Sequence, residues 1–123
     1  MSIPDYQTLM LPLLRFFSDG KEHNLPEATK VISDEFGLSP EERQQLLPSG
    51  QQTVIRNRLG WARTYMAKAG LIASTKRAFW QITPRGKEVL ASKPDRIDVH
   101  FLQQFQFKIR SMLVSLPFFS DLV

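Results

Sequence analysis

The sequence of 123 residues contains no cysteine and only two histidines. The absence of cysteine excludes disulfide bonds and thiolate metal ligands, and it is compatible with a reducing cytoplasm. Long hydrophobic runs are absent too, and no stretch approaches the length of a membrane span. The N-terminus has neither the basic region nor the apolar run that is typical of a signal peptide. We therefore expect a cytoplasmic protein that does not have a membrane as a partner.

Residue combinations that support catalysis are equally scarce. His23 and His100 lie far apart, with no carboxylate at ligand spacing, which argues against a metal site or a nucleophile-activating dyad. Pro4-Asp5 with Asp19-Gly20-Lys21 matches the letters of a metal-dependent nuclease motif, but these residues fall at a helix start and in a turn. No glycine-rich phosphate loop is present. The sequence therefore predicts no catalytic site, no metal site and no cofactor.

Acidic side chains are nearly missing from one segment of the chain. Residues 1–48 carry a net charge of −4 and residues 94–123 a net charge of zero, whereas residues 49–93 carry +8, with Glu88 as their single acid. Such asymmetry is typical of a surface that binds a polyanion. A solvated basic face without a ligand is the alternative. The remaining composition, 42% hydrophobic and 23% charged, is sufficient for one folded domain with a core.

This basic segment predicts a long amphipathic helix followed at once by a β-hairpin. Ser49 has Gln52 three residues later, the spacing of a capping box, and we expect the helix to begin there. Apolar residues then recur at steps of three and four until Gly70, where a left-handed C-terminal cap is expected. Two strand-like runs, 71–74 and 79–82, flank a basic turn. The predicted fold class is mainly α with a small β-hairpin wing, a winged helix-turn-helix.

Start signals predict four other helices around this unit. The first spans roughly 5–17 and either kinks at Pro12 or starts afresh with that proline in its first turn. The others begin at a cap residue that is followed by an acid or a proline at the expected spacing: Asn24 with Glu27, Ser39 with Pro40, and Thr83 with Pro84. A short strand is predicted at 23–25.

Lys93-Pro94-Asp95 marks a boundary. We expect residues 1–93 to form the winged-helix domain and residues 94–123 to form a C-terminal extension, either a linker remnant or an interface segment. Residues 99–109 are compatible with either a helix or a strand. The extension is apolar and rich in aromatic residues, which would suit a homodimer interface: Phe101, Phe105, Phe107, Phe118 and Phe119.

Four motifs occur in a fixed order along the chain: Pro48-Ser49-Gly50-Gln51, Asn57-Arg58-Leu59-Gly60-Trp61-Ala62, Ala69-Gly70-Leu71 and Trp80-Gln81-Ile82-Thr83-Pro84-Arg85-Gly86. With the opening Ile3-Pro4-Asp5-Tyr6, they resemble the N-terminal domain of Mrr-type restriction endonucleases over roughly residues 3–105. The resemblance implies a winged-helix DNA-binding module, normally followed by a PD-(D/E)xK nuclease domain that cleaves DNA carrying modified bases.

The family's nuclease motifs, Gly-Asp-Gly-Gly-Ile-Asp-Gly and Gln-x-Lys, are absent from this sequence. The chain ends where the linker to a nuclease would be expected. We therefore expect a non-enzymatic module that binds double-stranded DNA and serves as the targeting part of a modification-dependent, type IV-like restriction endonuclease.

Nine residues are candidates for DNA contacts. Five lie at the N-terminal end of the predicted recognition helix, where amides can pair with adenine and arginine with guanine: Gln51, Gln52, Thr53, Arg56 and Asn57. The other four, in later turns of the helix, in the wing and at the next helix start, are expected to meet the DNA backbone, or a minor groove in the case of the wing: Arg63, Lys76, Arg77 and Arg85.

Several of these residues also have structural interpretations. Asn57 and its neighbour Arg58 could hydrogen-bond the preceding loop to the helix, and Gly60 could permit close helix packing. Trp61 and Trp80 could cage a flipped base, but their positions in a core stripe and a strand favour packing. The functional alternative is a protein-interaction or dimerisation module that uses the winged helix and the aromatic tail.

Overall fold

The computed structural model of the protein describes residues 3–105. Within them, most of the regular structure is helical. One short strand follows the first helix, and two strands follow the longest helix. The helices are α1 Met10–Phe16, α2 Leu25–Glu35, α3 Pro40–Gln44, α4 Val54–Lys68, α5 Pro84–Ala91 and α6 Val99–Leu102, and the strands are β1 His23–Asn24, β2 Ile72–Lys76 and β3 Phe79–Ile82. Single 3-10 turns follow α1 and α6, at Phe17–Asp19 and Gln103–Phe105. The prediction of a mainly α fold with a small antiparallel sheet is confirmed.

The first helix begins later than its apolar pattern indicated. Asp5 accepts a hydrogen bond from the backbone of Thr8 at 2.7 Å, which closes a turn before α1 starts at Met10. Pro12 is then the third helical residue, where its missing N–H removes no intrahelical bond. Of the two alternatives for this proline, a fresh start with proline in the first turn is confirmed.

The helices α2 and α3 begin at the predicted caps. Asn24 accepts from the backbone of Glu27 at 2.9 Å while the Glu27 carboxylate accepts from the backbone of Asn24. Ser39 and Glu42 form the same reciprocal pair at 3.1 and 2.8 Å. Each box satisfies backbone donors that the first turn of a helix otherwise leaves unpaired. The short strand predicted at 23–25 is also present, as β1.

The start of α4 differs from the prediction at Ser49. The N-cap is Thr53, whose hydroxyl accepts from the backbone of Arg56 at 3.3 Å. Ser49 instead lies in a turn where Gly50 adopts a left-handed φ of +72°, which ends helical geometry locally. The turn brings Leu46 back to pair with Thr53 as an isolated antiparallel bridge. The helix therefore starts four residues after the predicted point.

The sheet has the order β1-β3-β2, with both pairs antiparallel. The hairpin strand β2 runs on to Lys76, beyond the predicted 71–74, and its register shifts between Ser74 and Lys76. Ala78 turns the chain with a positive φ of 68°. Because β2 is longer than predicted, Lys76 ends a strand and Arg77 stands in the turn.

The core is organised around α4, which packs against α1, α2 and α6. Its apolar side is fully buried and includes Leu59, Trp61 and Met66, each 0% exposed. Ile97 and Leu102 are also 0% exposed and belong to the same core, although they follow the predicted boundary at residue 93.

The segment 99–105 takes the helical alternative, as α6 and its 3-10 turn. Phe107, Phe118 and Phe119, which we assigned to an interface, lie outside the described residues. Within residues 3–105, no helix combines the length and apolar character needed to cross a bilayer.

Candidate nucleic-acid interface

The outer face of α4 carries two arginines. Arg56 is exposed and Arg63 is half-buried. Seven residues separate them, which places them on nearly the same side of the helix, about 10 Å apart along its axis. Neither forms an ion pair with any described residue. The face therefore presents two positive charges that no carboxylate of the described chain neutralises.

Arg63 lies against the sheet. Its guanidinium carbon is 5.3 Å from the centroid of the Trp80 ring, on β3. Two nitrogen atoms at this contact are buried, the Nε of Arg63 and the indole Nε1 of Trp80. Neither has a hydrogen-bond partner among the described residues. Burial lowers the pKa of Arg63, and the charge of Arg56 lowers it further. This contact links the recognition helix candidate to the hairpin.

An open groove of about 710 Å³ lies in front of the N-terminus of α4. Its wall combines the polar loop before α4 with residues of α2 and α3, and is lined by Pro26, Thr29, Arg43, Leu46, Gln51, Gln52, Thr53 and Arg56. Gln51 is exposed and Gln52 half-buried, and both precede the helix instead of forming its first turn. The Thr53 hydroxyl accepts the helix-capping hydrogen bond from the backbone of Arg56. Leu46 is 57% exposed, an apolar side chain in this groove that sequence reasoning missed.

The hairpin presents the two basic residues that were predicted for it. The Lys76 ammonium lies 4.6 Å from the Phe79 ring centroid and 3.6 Å from a carboxylate oxygen of Glu22. Both partners of this ion pair are exposed, so it contributes little and leaves the lysine available. Arg77 is exposed at the turn and has no ion pair among residues 3–105.

Two predicted contact residues differ from the others: Asn57 is buried, and Arg85 is exposed but bonded to another part of the fold. Asn57 is only 2% exposed, so its amide points into the protein. Arg85 donates from Nη1 to the carbonyl of Ala69 at 2.7 Å, and its guanidinium carbon lies 4.9 Å from the Phe105 ring centroid. It thus closes the C-terminal end of α4 against the start of α5.

Arg58 has a structural role, as its alternative interpretation predicted, but it binds the N-terminal residues and not the loop before the helix. Its Nη1 donates to the carbonyls of Ile3 and Pro4, at 2.7 and 3.2 Å, and so fastens the N-terminal residues to α4. Trp61 is fully buried in the core, in agreement with packing. Phe101 and Phe105 contact each other edge to face, with centroids 6.2 Å apart, so these two aromatics of the predicted interface pack within the chain.

The prediction that His23 has no carboxylate at ligand spacing is wrong. Its Nε2 lies 2.8 Å from Asp19 and its Nδ1 lies 3.2 Å from Glu27. Burial opposes protonation of the ring, but the two carboxylates outweigh it and raise the pKa of His23 above its ordinary value. The signal was present in the sequence as acids four residues to either side, but a turn and a strand separate them. Among residues 3–105, no group of three or more such side chains is arranged to hold a metal ion.

Comparison with known proteins identifies the domain. The family model of the Mrr N-terminal domain matches residues 6–92. A relative, the type IV methyl-directed restriction enzyme EcoKMrr of Escherichia coli (strain K12), is 34% identical over 95 residues. The match covers 76% of this chain and 31% of that enzyme, so the chain spans about a third of the relative's length. No solved structure matches the chain.

The family match includes every motif from Pro48 to Gly86 on which the resemblance was based, and the interface candidates from Gln51 to Arg85 lie within it. The resemblance inferred from the sequence is therefore confirmed. The chain belongs to the Mrr N-terminal domain family.

Proposed function

We propose that this domain is a winged helix-turn-helix that binds double-stranded DNA. In this arrangement α4 is the recognition helix, α2 and α3 precede it, and the β2–β3 hairpin is the wing. The observation that carries the proposal is the set of four basic side chains on α4 and the wing, Arg56, Arg63, Lys76 and Arg77. Of these four side chains, only Lys76 has an acidic partner within residues 3–105, and that pair is exposed.

The contacts divide by position. Gln51, Gln52 and Arg56 line the groove before α4 and are proposed to read base edges in the major groove. Arg63, Lys76 and Arg77 are proposed to contact phosphates. Thr53, Asn57 and Arg85 are proposed to act on the interface through structure, because each is engaged by the helix cap, the interior or the end of α4.

The biological context is proposed from the family. The relative's name describes a methyl-directed restriction enzyme. We infer that this domain is a non-catalytic targeting module, which directs a nuclease to DNA that carries modified bases, in the cytoplasm. The support is the match over residues 6–92 together with a sequence that lacks the nuclease motifs. A plasmid-nicking assay tests the non-catalytic assignment, and cleavage by this chain would contradict it.

A salt titration of duplex binding tests the DNA-binding proposal. Three phosphate contacts predict that log affinity falls with log salt concentration at a slope of about −3, since each contributes about −0.9. Replacing Lys76 and Arg77 by alanine should weaken all duplexes alike and reduce the slope by about 2. Gln52→Ala should instead change the preference among sequences, by about 1–3 kcal/mol.

Lys68→Ala is the matched control, because Lys68 is an exposed cation of the same helix that lies about 120° around the axis from Arg56. It should leave the slope almost unchanged. The same titration with methylated and unmodified duplexes measures whether the domain itself senses the modification. Binding that is insensitive to salt, or that survives all of these changes, contradicts the proposal.

A further inference from the structure

The side chain of Arg63 is a cation placed where a cation is costly. It is half-buried between α4 and β3, its Nε is inaccessible to solvent, and that donor has no hydrogen-bond partner among the described residues. No described carboxylate pairs with it, and the neighbouring charge that lowers its pKa, that of Arg56, is positive. Partial burial of a cation without a counter-charge, with one donor left without an acceptor, is unfavourable, so an anion beside this guanidinium would be stabilising.

Trp80 supplies a favourable contact for the guanidinium. A cation over an indole face is attracted to it, and the attraction grows as solvent is excluded. The position of the indole is itself fixed, because Trp80 belongs to the central strand β3 and is paired on one side with His23 of β1 and on the other with Ser74 of β2. The platform under Arg63 is thus fixed by the whole sheet.

A guanidinium held against a ring, its carbon 5.3 Å from the ring centroid, has less conformational freedom to lose than a free arginine. The N–H groups of a guanidinium form a rigid fork, a geometry that matches the oxygens of a phosphate. Binding an anion would therefore cost less side-chain entropy than it would for a free arginine. Arg56, about 10 Å further along the same face, offers a second charge, a spacing that suits a polyanion better than a single carboxylate.

We propose that Arg63 and Trp80 form one phosphodiester-binding site at the junction of α4 and the wing, in which Arg63 contacts the phosphate and Trp80 is its positioning residue. The inference rests on the proposed DNA-binding function and adds a fixed contact that joins the recognition helix to the hairpin. It assigns Trp80 a role besides packing.

The site can be tested with duplexes in which one phosphate at a time is replaced by an uncharged methylphosphonate. In the wild-type protein, replacement of each contacted phosphate should weaken binding by about tenfold, the effect of losing a charge-assisted hydrogen bond. In Arg63→Met, the substitution at one of those positions should no longer matter, because the contact that it removes is already gone. The salt slope of this variant should be smaller by about 0.9.

Trp80 is tested by two replacements. Trp80→Leu removes the ring and should reduce the methylphosphonate effect at the same position, whereas Trp80→Phe keeps an aromatic face and should retain most of it. The double variant Arg63→Met with Trp80→Leu should have the same duplex affinity as Arg63→Met alone, because the two residues act as a unit. Lys68→Met is the control for the loss of one charge from α4, since Lys68 lies about 140° around the axis from Arg63. Thermal unfolding of each variant shows whether the fold is retained.

The outcomes separate this inference from the proposed function. If the wild-type protein binds no duplex, the proposed function fails and the site falls with it. If it binds but Arg63→Met keeps the full sensitivity at every methylphosphonate position, DNA binding stands and the site is wrong. Arg63→Met could abolish the methylphosphonate effect at one position while a folded Trp80→Leu retains the effect at every position. In that case Trp80 does not position the arginine.

Discussion

Gly60 and Gly86 stand in two motifs of the family resemblance, and the structure gives them opposite physical roles. A Cβ at Gly86 would overlap the carbonyl oxygen of Leu71 and lie 2.7 Å from Ile82 Cγ1. Gly86 is therefore required where α5 crosses the start of the sheet. A Cβ at Gly60 would meet only Leu25 Cδ2, at an ordinary 3.9 Å.

These geometries predict opposite effects of alanine. Gly86→Ala should lower the free energy of unfolding by about 2–3 kcal/mol, because the carbonyl of Leu71 cannot yield without moving the backbone. Gly60→Ala should raise it by up to about 1 kcal/mol, because alanine has the higher helix propensity and space is available. Chemical denaturation of both variants measures the difference. Equal destabilisation by the two changes would show that Gly60 serves close packing after all.

At the scale of the element, the start of α4 shows where local sequence signals are insufficient. Ser49 with Gln52 has the same spacing as the two boxes that do form, at Asn24 and Ser39. It fails because Gly50 is left-handed and because the chain returns to pair Leu46 with Thr53, a contact that depends on three-dimensional packing. The caps that could be predicted are those that need only their own four residues.

The alternative helix starts can be distinguished by cap deletion. Thr53→Ala should lower the free energy of unfolding by about 1 kcal/mol, because it leaves the backbone N–H of Arg56 without its acceptor. Ser49→Ala should change the free energy of unfolding by much less, since the Ser49 hydroxyl accepts from the backbone N–H of Gln51 in an exposed turn. Urea unfolding of the two variants provides the measurement, and a larger loss from Ser49→Ala would place the helix start at the predicted position.

His23 connects three elements, because Asp19 ends the turn after α1 and Glu27 belongs to the first turn of α2. Both ring nitrogens can donate only when the imidazole is protonated. Its pKa is raised above the ordinary 6.5, so this contribution to stability is complete below about pH 6.5 and is lost as pH rises through the folded-state pKa. On the acid side, a backbone hydrogen bond from Lys21 lowers the pKa of Asp19, with His23 assisting, so protonation of Asp19 removes the clamp only at lower pH.

We therefore expect the stability difference between wild type and His23→Gln to be largest between the titration of Asp19 and that of His23. It should shrink above neutral pH as the imidazole loses its proton. Thermal unfolding of both proteins from about pH 4 to about pH 9, a range that includes the ordinary pKa of histidine, gives the profile. His100→Gln, which replaces an exposed histidine without an ion pair among the described residues, is the control for the substitution itself. A difference that is constant with pH would show that His23 acts through packing against Phe16 alone.

At the scale of the molecule, the sequence predicts the β2–β3 hairpin and the excess of basic residues in residues 49–93, because the first depends on neighbouring residues and the second on summed charge. It does not predict which basic residues are already used. Arg58 and Arg85 have the same charge as Arg63, yet two of the three bind backbone carbonyls at distant points of the chain. Asn57 is likewise polar in sequence and 2% exposed in the fold. Such differences arise only when tertiary packing assigns each side chain a partner.

The domain boundary is the remaining whole-molecule question, and the core answers it in a testable way. Ile97 and Leu102 are fully buried against the same core as α4, and the backbone of Val99 donates to Gln7 at 2.9 Å. We therefore propose that the stable unit extends past residue 93 to include α6. Ile97→Ala and Leu102→Ala should each lower the free energy of unfolding by about 2–5 kcal/mol, as core truncations do.

The exposed neighbour Gln103 provides the control, because Gln103→Ala should change stability by less than about 0.5 kcal/mol. If residues 94–105 were only a linker laid on a finished domain, all three substitutions would be equally mild. A large loss at Ile97 and Leu102 with little at Gln103 instead requires that α6 contribute to the core on which α4 rests. The basic face of α4 would then depend for its position on residues that follow the family match at residue 92.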